Sequence, residues 1–380
     1  MAENAYAEDV SFLKQHTEIV ELVGEGDSRL AVAPEYQGRV MTSTVEGPAA
    51  MGFGWINRRF ISAGRSDPVF NNYGGEDRFW LGPEAGQFGL WFAKGEPFDL
   101  AHWKTPPGFG AGRFAVVSKG RSSVVMERES EVTNYSGTTF RCGLKRVISL
   151  IARDQAAKLL GVAMDNQVRL VGFESSNTLA NTAPDAWTRQ TGLLSVWILG
   201  MFKPLARGRV IVPFRAGSEK TFGPKATTGY FGAIPPDRCP IGDDHLLLTC
   251  DGRYRSKIGI SPARAREALG SFDPDSGVLT IVQFNLPRNA AKLPYVNSLW
   301  QLQDKPYAGD AVNSYNDGVD PTSGTQFGAF YELETSSPAA ELAKGDSITH
   351  VHRTFHFAGP SAAISALAKA VLGVDLSAVA

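Results

Sequence analysis

The sequence predicts an all-β protein, a large antiparallel β-sandwich with a few short helices. Turn-forming residues recur along the chain, with 40 glycines and 22 prolines among 380 residues. Between them, short segments alternate apolar and polar residues, as strands with one buried face do. Helical periodicity is scarce, and a chain of this length can bury a large core.

Each alternating segment predicts a strand, and these segments are spread along the chain: 29–34, 39–45, 113–118, 122–132, 167–175, 209–214, 245–250, 278–284 and 348–357. We expect helices at residues 8–16, at 261–270 and near the carboxyl end at 361–373. The middle one has Ser261 as N-cap, Pro262 in the first turn and Gly270 at its end. Since no linker or repeat interrupts the chain, we expect one domain over residues 1–380, with a helical extension in 1–17 and a terminal helix in 360–380.

Charge and composition indicate which binding partners and which cellular location to expect. The formal net charge is -1 and the pI is about 6.6, which argues against nucleic acid or an anionic membrane surface. Cys142, Cys239 and Cys250 lack the spacing of a disulfide framework or a zinc ribbon. The first residues do not resemble a signal peptide, and no apolar run approaches the roughly 20 residues of a membrane helix. We therefore expect a cytoplasmic protein.

Cofactor motifs are not found in the sequence. It contains no dinucleotide fingerprint, phosphate-binding loop or HExxH motif, so no cofactor is expected. His350, His352 and His356 lie on one face of the strand predicted at 348–357. Such histidines can bind a metal, but no third ligand is set by spacing, and we expect no metal site.

The stretch NNYGGEDRFWLGPEAGQF, residues 71–88, places Glu76, Asp77 and Arg78 between a glycine pair and the aromatic residues Phe79 and Trp80. One interpretation is a sugar site, in which the charged groups bind hydroxyls beside an aromatic wall. The other is an internal ion pair in which Arg78 neutralises a buried carboxylate. The sequence slightly favours the sugar site.

Two strand segments carry charge on one face. In FYELETSSPA, residues 330–339, Glu332 and Glu334 share a face about 6.5 to 7 Å apart, so one can raise the pKa of the other. This suits acid–base chemistry, and a solvated strand face is the alternative. In DGRYRSKIG, residues 251–259, Arg253, Arg255 and Lys257 share a face that meets either an anion or water.

Residues 295–318 interleave aromatic and amide side chains in the pattern that a sugar requires, an apolar ring face beside paired hydrogen-bonding groups. A long connection fixed by its own side chains is an equally good interpretation. The residues concerned are Tyr295, Asn297, Trp300, Gln301, Gln303, Tyr307, Asn313, Tyr315, Asn316 and Asp317.

Several of these motifs resemble those of a known protein family. The chain resembles the galactose-mutarotase-like (aldose 1-epimerase-like) proteins, whose fold is a large antiparallel β-supersandwich. It is most similar to a bacterial branch with the motifs YGGEDRFWLGPE, SVWILGMF, DGRYRSKIG, NSYNDG and FYELETSSPA, from about residue 18 to the end. Its similarity to the aldose 1-epimerases themselves is limited to short motifs in the same order.

The resemblance implies particular roles. By similarity to the epimerases, ELETSSPAAELAKG places the general base at Glu334, and Arg58 in INRR echoes a substrate-binding Asn-Arg pair. The chain departs from the epimerases at both of their histidines. Tyr73 stands before the glycine pair, and Asn177 stands near the position of the general acid. An amide cannot donate a proton at neutral pH, so the acid must come from another residue.

The prediction is a carbohydrate-active enzyme that acts at or near the anomeric carbon, either epimerising or hydrolysing. The alternative is a sugar-binding protein without catalysis on the same fold. The expected ligand is a mono- or oligosaccharide, including acidic or phosphorylated ones. Expected catalytic residues are Glu334, Asp77, Tyr73 and His102, and expected substrate-binding residues are Glu76, Arg78, Trp80, Asn177, Trp197, Arg255, Lys257, Trp300, Asn316, Asp317, Glu332 and Arg58.

Overall fold

The structure, a computed structural model, describes residues 5–110, 112–320 and 324–379. The strands in these ranges are β1 (Val20–Val23), β2 (Arg29–Ala33), β3 (Arg39–Thr44), β4 (Arg78–Gly82), β5 (Ala115–Lys119), β6 (Ser123–Thr133), β7 (Thr139–Leu150), β8 (Arg169–Asn181), β9 (Ser195–Phe202), β10 (Arg209–Pro213), β11 (His245–Thr249), β12 (Ser256–Ile260), β13 (Ala268–Asp273), β14 (Val278–Phe284), β15 (Val312–Asn316), β16 (Tyr331–Ser336) and β17 (Ser347–Ala358). The helices are α1 (Tyr6–Lys14), α2 (Arg58–Ser62), α3 (Arg153–Leu160), α4 (Glu219–Phe222) and α5 (Ser361–Leu372).

The strands form three antiparallel sheets. The largest has nine strands in the order β11-β10-β13-β14-β17-β8-β7-β6-β5. A second has five strands in the order β12-β15-β16-β9-β4, and β1, β2 and β3 form a third. Both the all-β prediction and the strands expected at the nine alternating segments are confirmed.

The core lies between the five-stranded and nine-stranded sheets. Apolar side chains from one face of each sheet interdigitate there, for example Ile198 and Leu333 from the smaller sheet and Phe173 and Leu269 from the larger. The outer face of the larger sheet is covered by α3 and α5, with Leu367 packed in the same cluster as Phe355. The helices predicted near both chain ends are present as α1 and α5.

The helix predicted at 261–270 is wrong. After a single turn, in which Ala265 donates its backbone N–H to Ser261 at 2.8 Å, the chain enters β13 at Ala268. The fully buried Arg264 donates to the backbone carbonyls of Arg215, Gly217 and Gly223. Tertiary pairing therefore overrides the local helix signals.

No helix in the described part of the chain is long and apolar enough to cross a membrane.

Candidate functional site

The side chains of β16 alternate between two surroundings. Leu333 packs in the core, and the hydroxyl of Thr335 is hydrogen-bonded to His350 and His352 on β17, at 2.7 and 2.8 Å. Glu332 and Glu334 point away from the nine-stranded sheet, because successive residues of a strand face opposite sides. The two carboxyl groups therefore share the outer face of the five-stranded sheet.

A cavity lies over this outer face. Its floor comes from alternate residues of the sheet, and its walls come from loops that cross the sheet. The lining residues are Phe70, Arg78, Trp80, Glu84, Leu100, Trp103, Trp197, Leu199, Phe231, Arg255, Lys257, Trp300, Tyr315, Phe327, Phe330 and Glu332. Nine aromatic rings thus surround five charged side chains.

Strand register determines which charges meet in the cavity. Glu332 is paired with Tyr315 on β15, which is paired in turn with Lys257 on β12. On the other side, Glu334 is paired with Leu199 on β9, which is paired with Arg78 on β4. The central strand therefore carries the two carboxyls, and strands on either side supply the cations.

Arg78 and Glu332 form a buried ion pair. Nη2 of Arg78 donates to Oε1 of Glu332 at 2.6 Å, and the side chains are 2% and 7% exposed. The guanidinium also lies over the Trp80 ring, 3.9 Å from its centroid, in cation–π geometry. Burial raises the pKa of Glu332 above its ordinary value; Arg78 opposes this rise, and the nearby Glu334 adds to it.

Glu334 lies one layer deeper and does not line the cavity. Its Oε2 accepts hydrogen bonds from Nζ of Lys257 at 3.1 Å and from Nε1 of Trp197 at 2.9 Å. Its Oε1 has no partner among the described residues. Burial alone would lower the pKa of Lys257, but Glu334, Glu84 and Glu332 outweigh it, so that pKa is raised and the ammonium stays charged.

Two further charged groups complete the lining. Nη1 of Arg255 donates to Asp320 at 2.8 Å, and its guanidinium lies 3.9 Å from the centroid of Phe231. Glu84, which is 6% exposed, accepts a hydrogen bond from Nε1 of Trp103 at 2.9 Å. Burial raises the pKa of Glu84, and Lys257 and the Trp103 indole oppose that rise.

Seven of the predicted site residues meet in this cavity: Arg78, Trp80, Trp197, Arg255, Lys257, Trp300 and Glu332. Asn316 and Asp317 do not line the cavity but form hydrogen bonds with residues around it. Asn316 accepts from the backbone N–H of Gly252 at 2.9 Å. Asp317 accepts from the hydroxyl of Tyr315 at 2.7 Å, and burial raises the pKa of Asp317 to about 6.

Glu76, Asp77 and Asn177 lie instead in a polar layer between the two large sheets. Asp77 forms a fully buried ion pair with Arg146 and accepts from the hydroxyl of Ser175 at 2.6 Å. Glu76 is hydrogen-bonded to His356 at 2.8 Å and accepts from the hydroxyl of Ser43. Both Asp77 and Arg78 are thus in internal ion pairs, Asp77 with Arg146 and Arg78 with the buried Glu332.

Asn177 is fixed in that layer, where its amide donates to the backbone carbonyl of Ser175 at 2.9 Å. The same layer holds His350 and His352, and burial lowers the pKa of these histidines to about 3 and about 4. Within the described ranges, no three His, Cys, Asp or Glu side chains are grouped to hold a metal ion.

The remaining predicted residues lie away from the cavity. Tyr73 stacks on Tyr36, with ring centroids 3.8 Å apart, beside α2. Arg58 pairs with Asp9 of α1 at 2.7 Å. His102 is part of a surface loop, where Nδ1 lies 2.6 Å from Asp99. Asp77 and Arg78 are adjacent in sequence, yet Arg78 faces the cavity whereas Asp77 faces the polar layer between the two large sheets.

Sequence reasoning did not assign Glu84, Trp103 or Phe231 to the site, and it named Tyr315 only as part of the aromatic pattern of residues 295–318. A partial signal was present for Glu84, which stands two residues after the strand that carries Arg78 and Trp80. Trp103 directly follows the predicted His102. For Phe231, neither spacing nor composition indicated that its loop covers this sheet.

Comparison with solved structures shows the same fold in proteins of low sequence identity. A candidate aldose 1-epimerase from Escherichia coli K12 aligns with a TM-score of 0.52 at 12% identity, covering 90% of this chain and 100% of that one. The Slr1438 protein from Synechocystis sp. PCC 6803 aligns with a TM-score of 0.51 at 11% identity, covering 90% and 96%. Identities this low show a galactose-mutarotase-like fold and no more.

No protein of curated function matches the sequence. One family model, described as a family of unknown function (DUF6786), matches residues 4–380. The match spans nearly the whole length, so the chain is a member of the DUF6786 family with a galactose-mutarotase-like fold.

Proposed function

We propose that the cavity over the five-stranded sheet binds a sugar and that the protein transfers a proton at or near its anomeric carbon. The observation that carries this proposal is the joint presence of nine aromatic rings and five charged side chains in one cavity. Aromatic faces accommodate the C–H face of a sugar ring, and charged groups form strong hydrogen bonds with hydroxyls.

Glu332 is the carboxyl group that we propose exchanges the proton. It lines the cavity, and burial raises its pKa toward neutrality, where both protonation states are available. Removal of the proton from the anomeric hydroxyl leads to ring opening, in which the ring oxygen leaves with the C–O electron pair. Arg78 and Lys257 line the same cavity and would stabilise the negative charge on that oxygen until the ring closes and the proton returns.

Glu334 was the base expected from the resemblance. Because it lies behind Trp197 and Lys257, we propose that it acts as a positioning residue that holds the Lys257 ammonium at the cavity. The proposal made here requires Glu332 as the proton-transferring group, whereas the assignment from the resemblance requires Glu334.

Binding without catalysis is the second candidate. It is favoured by the pairing of each lining cation with a carboxylate: Arg78 with Glu332, Lys257 with Glu334 and Arg255 with Asp320. A carboxylate held in an ion pair is a weaker base, and a satisfied set of charges suits recognition alone.

NMR of the anomeric protons tests these alternatives, with a panel of free sugars and glycosides. We expect accelerated exchange between α and β anomers, reduced about 10²- to 10⁴-fold in Glu332→Gln. Glu341→Gln, which alters an exposed glutamate paired with Arg189, is the matched control and should keep full activity.

Loss of exchange in Glu334→Gln but not in Glu332→Gln would restore the assignment made from the resemblance. New reducing-end signals from a glycoside would indicate hydrolysis, and saturable binding without turnover would support the binding protein.

A further inference from the structure

The three cations that line the cavity are all paired, whereas one of its carboxyl groups is not. Arg78, Lys257 and Arg255 each have a carboxylate partner within hydrogen-bonding distance, at 2.6, 3.1 and 2.8 Å. Glu84 also lines the cavity, yet it forms no ion pair with any described residue. Lys257 acts on Glu84 only at longer range, so this carboxyl group has no cation in direct contact among the described residues.

Glu84 is held in place by a neutral donor. The Trp103 indole donates to its Oε1 at 2.9 Å, and the nearby Trp300 indole also opposes the rise that burial causes in the pKa of Glu84. Its Oε2 has no partner at hydrogen-bonding distance among the residues that the structure describes. Glu84 as a whole residue is 6% exposed, so bulk water does not solvate its carboxyl group freely. A buried carboxyl group with one unpartnered oxygen can pair with a donor brought by a ligand.

The walls beside Glu84 suit a positive charge. Trp103 lines the cavity, and no described cation lies over its ring, whereas Trp80, Trp197 and Phe231 already face Arg78, Lys257 and Arg255. The ring faces of tryptophan attract cations, most strongly where water is excluded. Because Trp103 directs its N–H edge at Glu84, an ammonium group there would meet the carboxyl group first and could approach a ring face only above or below the indole plane.

We propose that the cavity recognises an amino sugar with a free ammonium group, and that Glu84 is the residue that pairs with this ammonium. The inference rests on the proposed function, because it names the class of sugar that the same cavity takes. An acidic or phosphorylated sugar would instead bring an anion to a cavity whose three cations are each already paired with a carboxylate. Such a ligand would be repelled by Glu84 while the three cations are already paired.

The test is a binding titration followed by ligand-observed NMR, at a pH where the sugar amine is protonated. The probes are glucosamine and galactosamine, each compared with its parent hexose, its N-acetyl derivative and the hexose 6-phosphate. We expect one of the amino sugars to bind about tenfold more tightly than its parent hexose, as a charge-assisted hydrogen bond provides. In Glu84→Gln that ratio should fall to about one, whatever the change in affinity for the parent hexose; Glu341→Gln should leave the ratio unchanged.

The ratio of affinities is an internal control, because a misfolded variant loses both ligands together. If Glu84→Gln does not fold, the comparison among probes on the unmodified protein still decides the matter. Equal affinity for amino sugar and parent hexose would overturn this inference and leave the proposed sugar site standing. Tighter binding of the phosphate would overturn it as well, and a failure of every sugar to bind would overturn the proposed function itself.

Discussion

Arg78 and Glu332 lie 254 residues apart in the sequence and meet in a buried ion pair, with Nη2 and Oε1 2.6 Å apart. The strand β9 separates β4 from β16, so the pair reaches across it on the outer face of the sheet. Two charges removed from water in this way constrain each other strongly, since neither is stable in that environment alone.

The first prediction concerns the loss of that pairing. In Arg78→Met the Glu332 carboxylate stays buried without its cation, and we expect a loss of about 3 to 5 kcal/mol in the free energy of unfolding. Urea denaturation at neutral pH measures this. The control is Arg141→Met, which breaks a pair with Glu131 whose side chains are 65% and 58% exposed. That change should cost less than about 1 kcal/mol, and equal losses would contradict the prediction.

A second prediction isolates the hydrogen bond between Trp197 and Glu334. Trp197→Phe keeps an aromatic ring but removes the indole donor, so we expect a loss of about 1.5 to 3 kcal/mol. Trp187→Phe is the matched control, because Trp187 is equally buried and its Nε1 has no partner among the described residues. If both variants lose the same stability, ring size rather than the hydrogen bond accounts for the effect.

The third prediction is a pH dependence of stability. Burial lowers the pKa of His352 to about 4, below the roughly 6.5 of an unfolded histidine. The unfolded chain therefore binds the proton first, and this contribution to stability is complete above about pH 6.5 and lost as the pH falls toward 4. Glu332 acts in the opposite direction, because its pKa is raised in the folded state. Replacing His352 should therefore isolate the contribution of this histidine to the pH dependence of stability.

In His352→Gln we expect stability to fall less steeply between about pH 6 and 4.5, by about 1.4 kcal/mol per pH unit. Urea midpoints measured across this range provide the comparison. His16→Gln changes an exposed histidine and should follow the slope of the unmodified protein. A His352→Gln slope identical to that of the unmodified protein would show that His352 does not contribute.

A fourth prediction concerns Gly74, whose φ is 88°. A Cβ there would lie 2.1 Å from the backbone oxygen of Trp55, so Gly74→Ala combines steric overlap with an unfavourable backbone conformation. Gly277→Ala, at φ 71° and with open space around it, incurs the conformational cost alone. We expect about 1 to 2 kcal/mol for Gly277→Ala and a larger loss for Gly74→Ala, both by thermal unfolding. Similar losses would mean that the backbone at Trp55 moves aside.

Alternation within a strand could be predicted from the sequence. This alternation placed Glu332 and Glu334 on the same face of their strand. Applied to the strand that begins at Arg78, it also places Arg78 and Asp77 on opposite faces. Which face meets a ligand could not be predicted, because that depends on pairing between strands far apart in the chain. Asp77, for instance, finds Arg146 on β7, 69 residues away.

Local signals also fail where tertiary contacts are stronger. Ser261 and Pro262 have the character of a helix start, yet the chain there turns once and enters a sheet because Arg264 and Leu269 are buried. Glu84 shows the converse. It stands two residues beyond the strand that carries Arg78 and Trp80, and only the loops that close over the sheet make it part of a cavity.

The alternating faces of β16 restrict how this protein can change over evolutionary time. A single-residue insertion between Glu332 and Glu334 would place these two side chains on opposite faces of the sheet. If Glu332 stayed at the cavity, the Thr335 hydroxyl would turn away from His350 and His352. Length changes in this strand are therefore tolerable only in pairs of residues, whereas the loops over the cavity are free to vary one residue at a time. Homologous chains should accordingly differ in which ligand they accept far more readily than in the length of this strand.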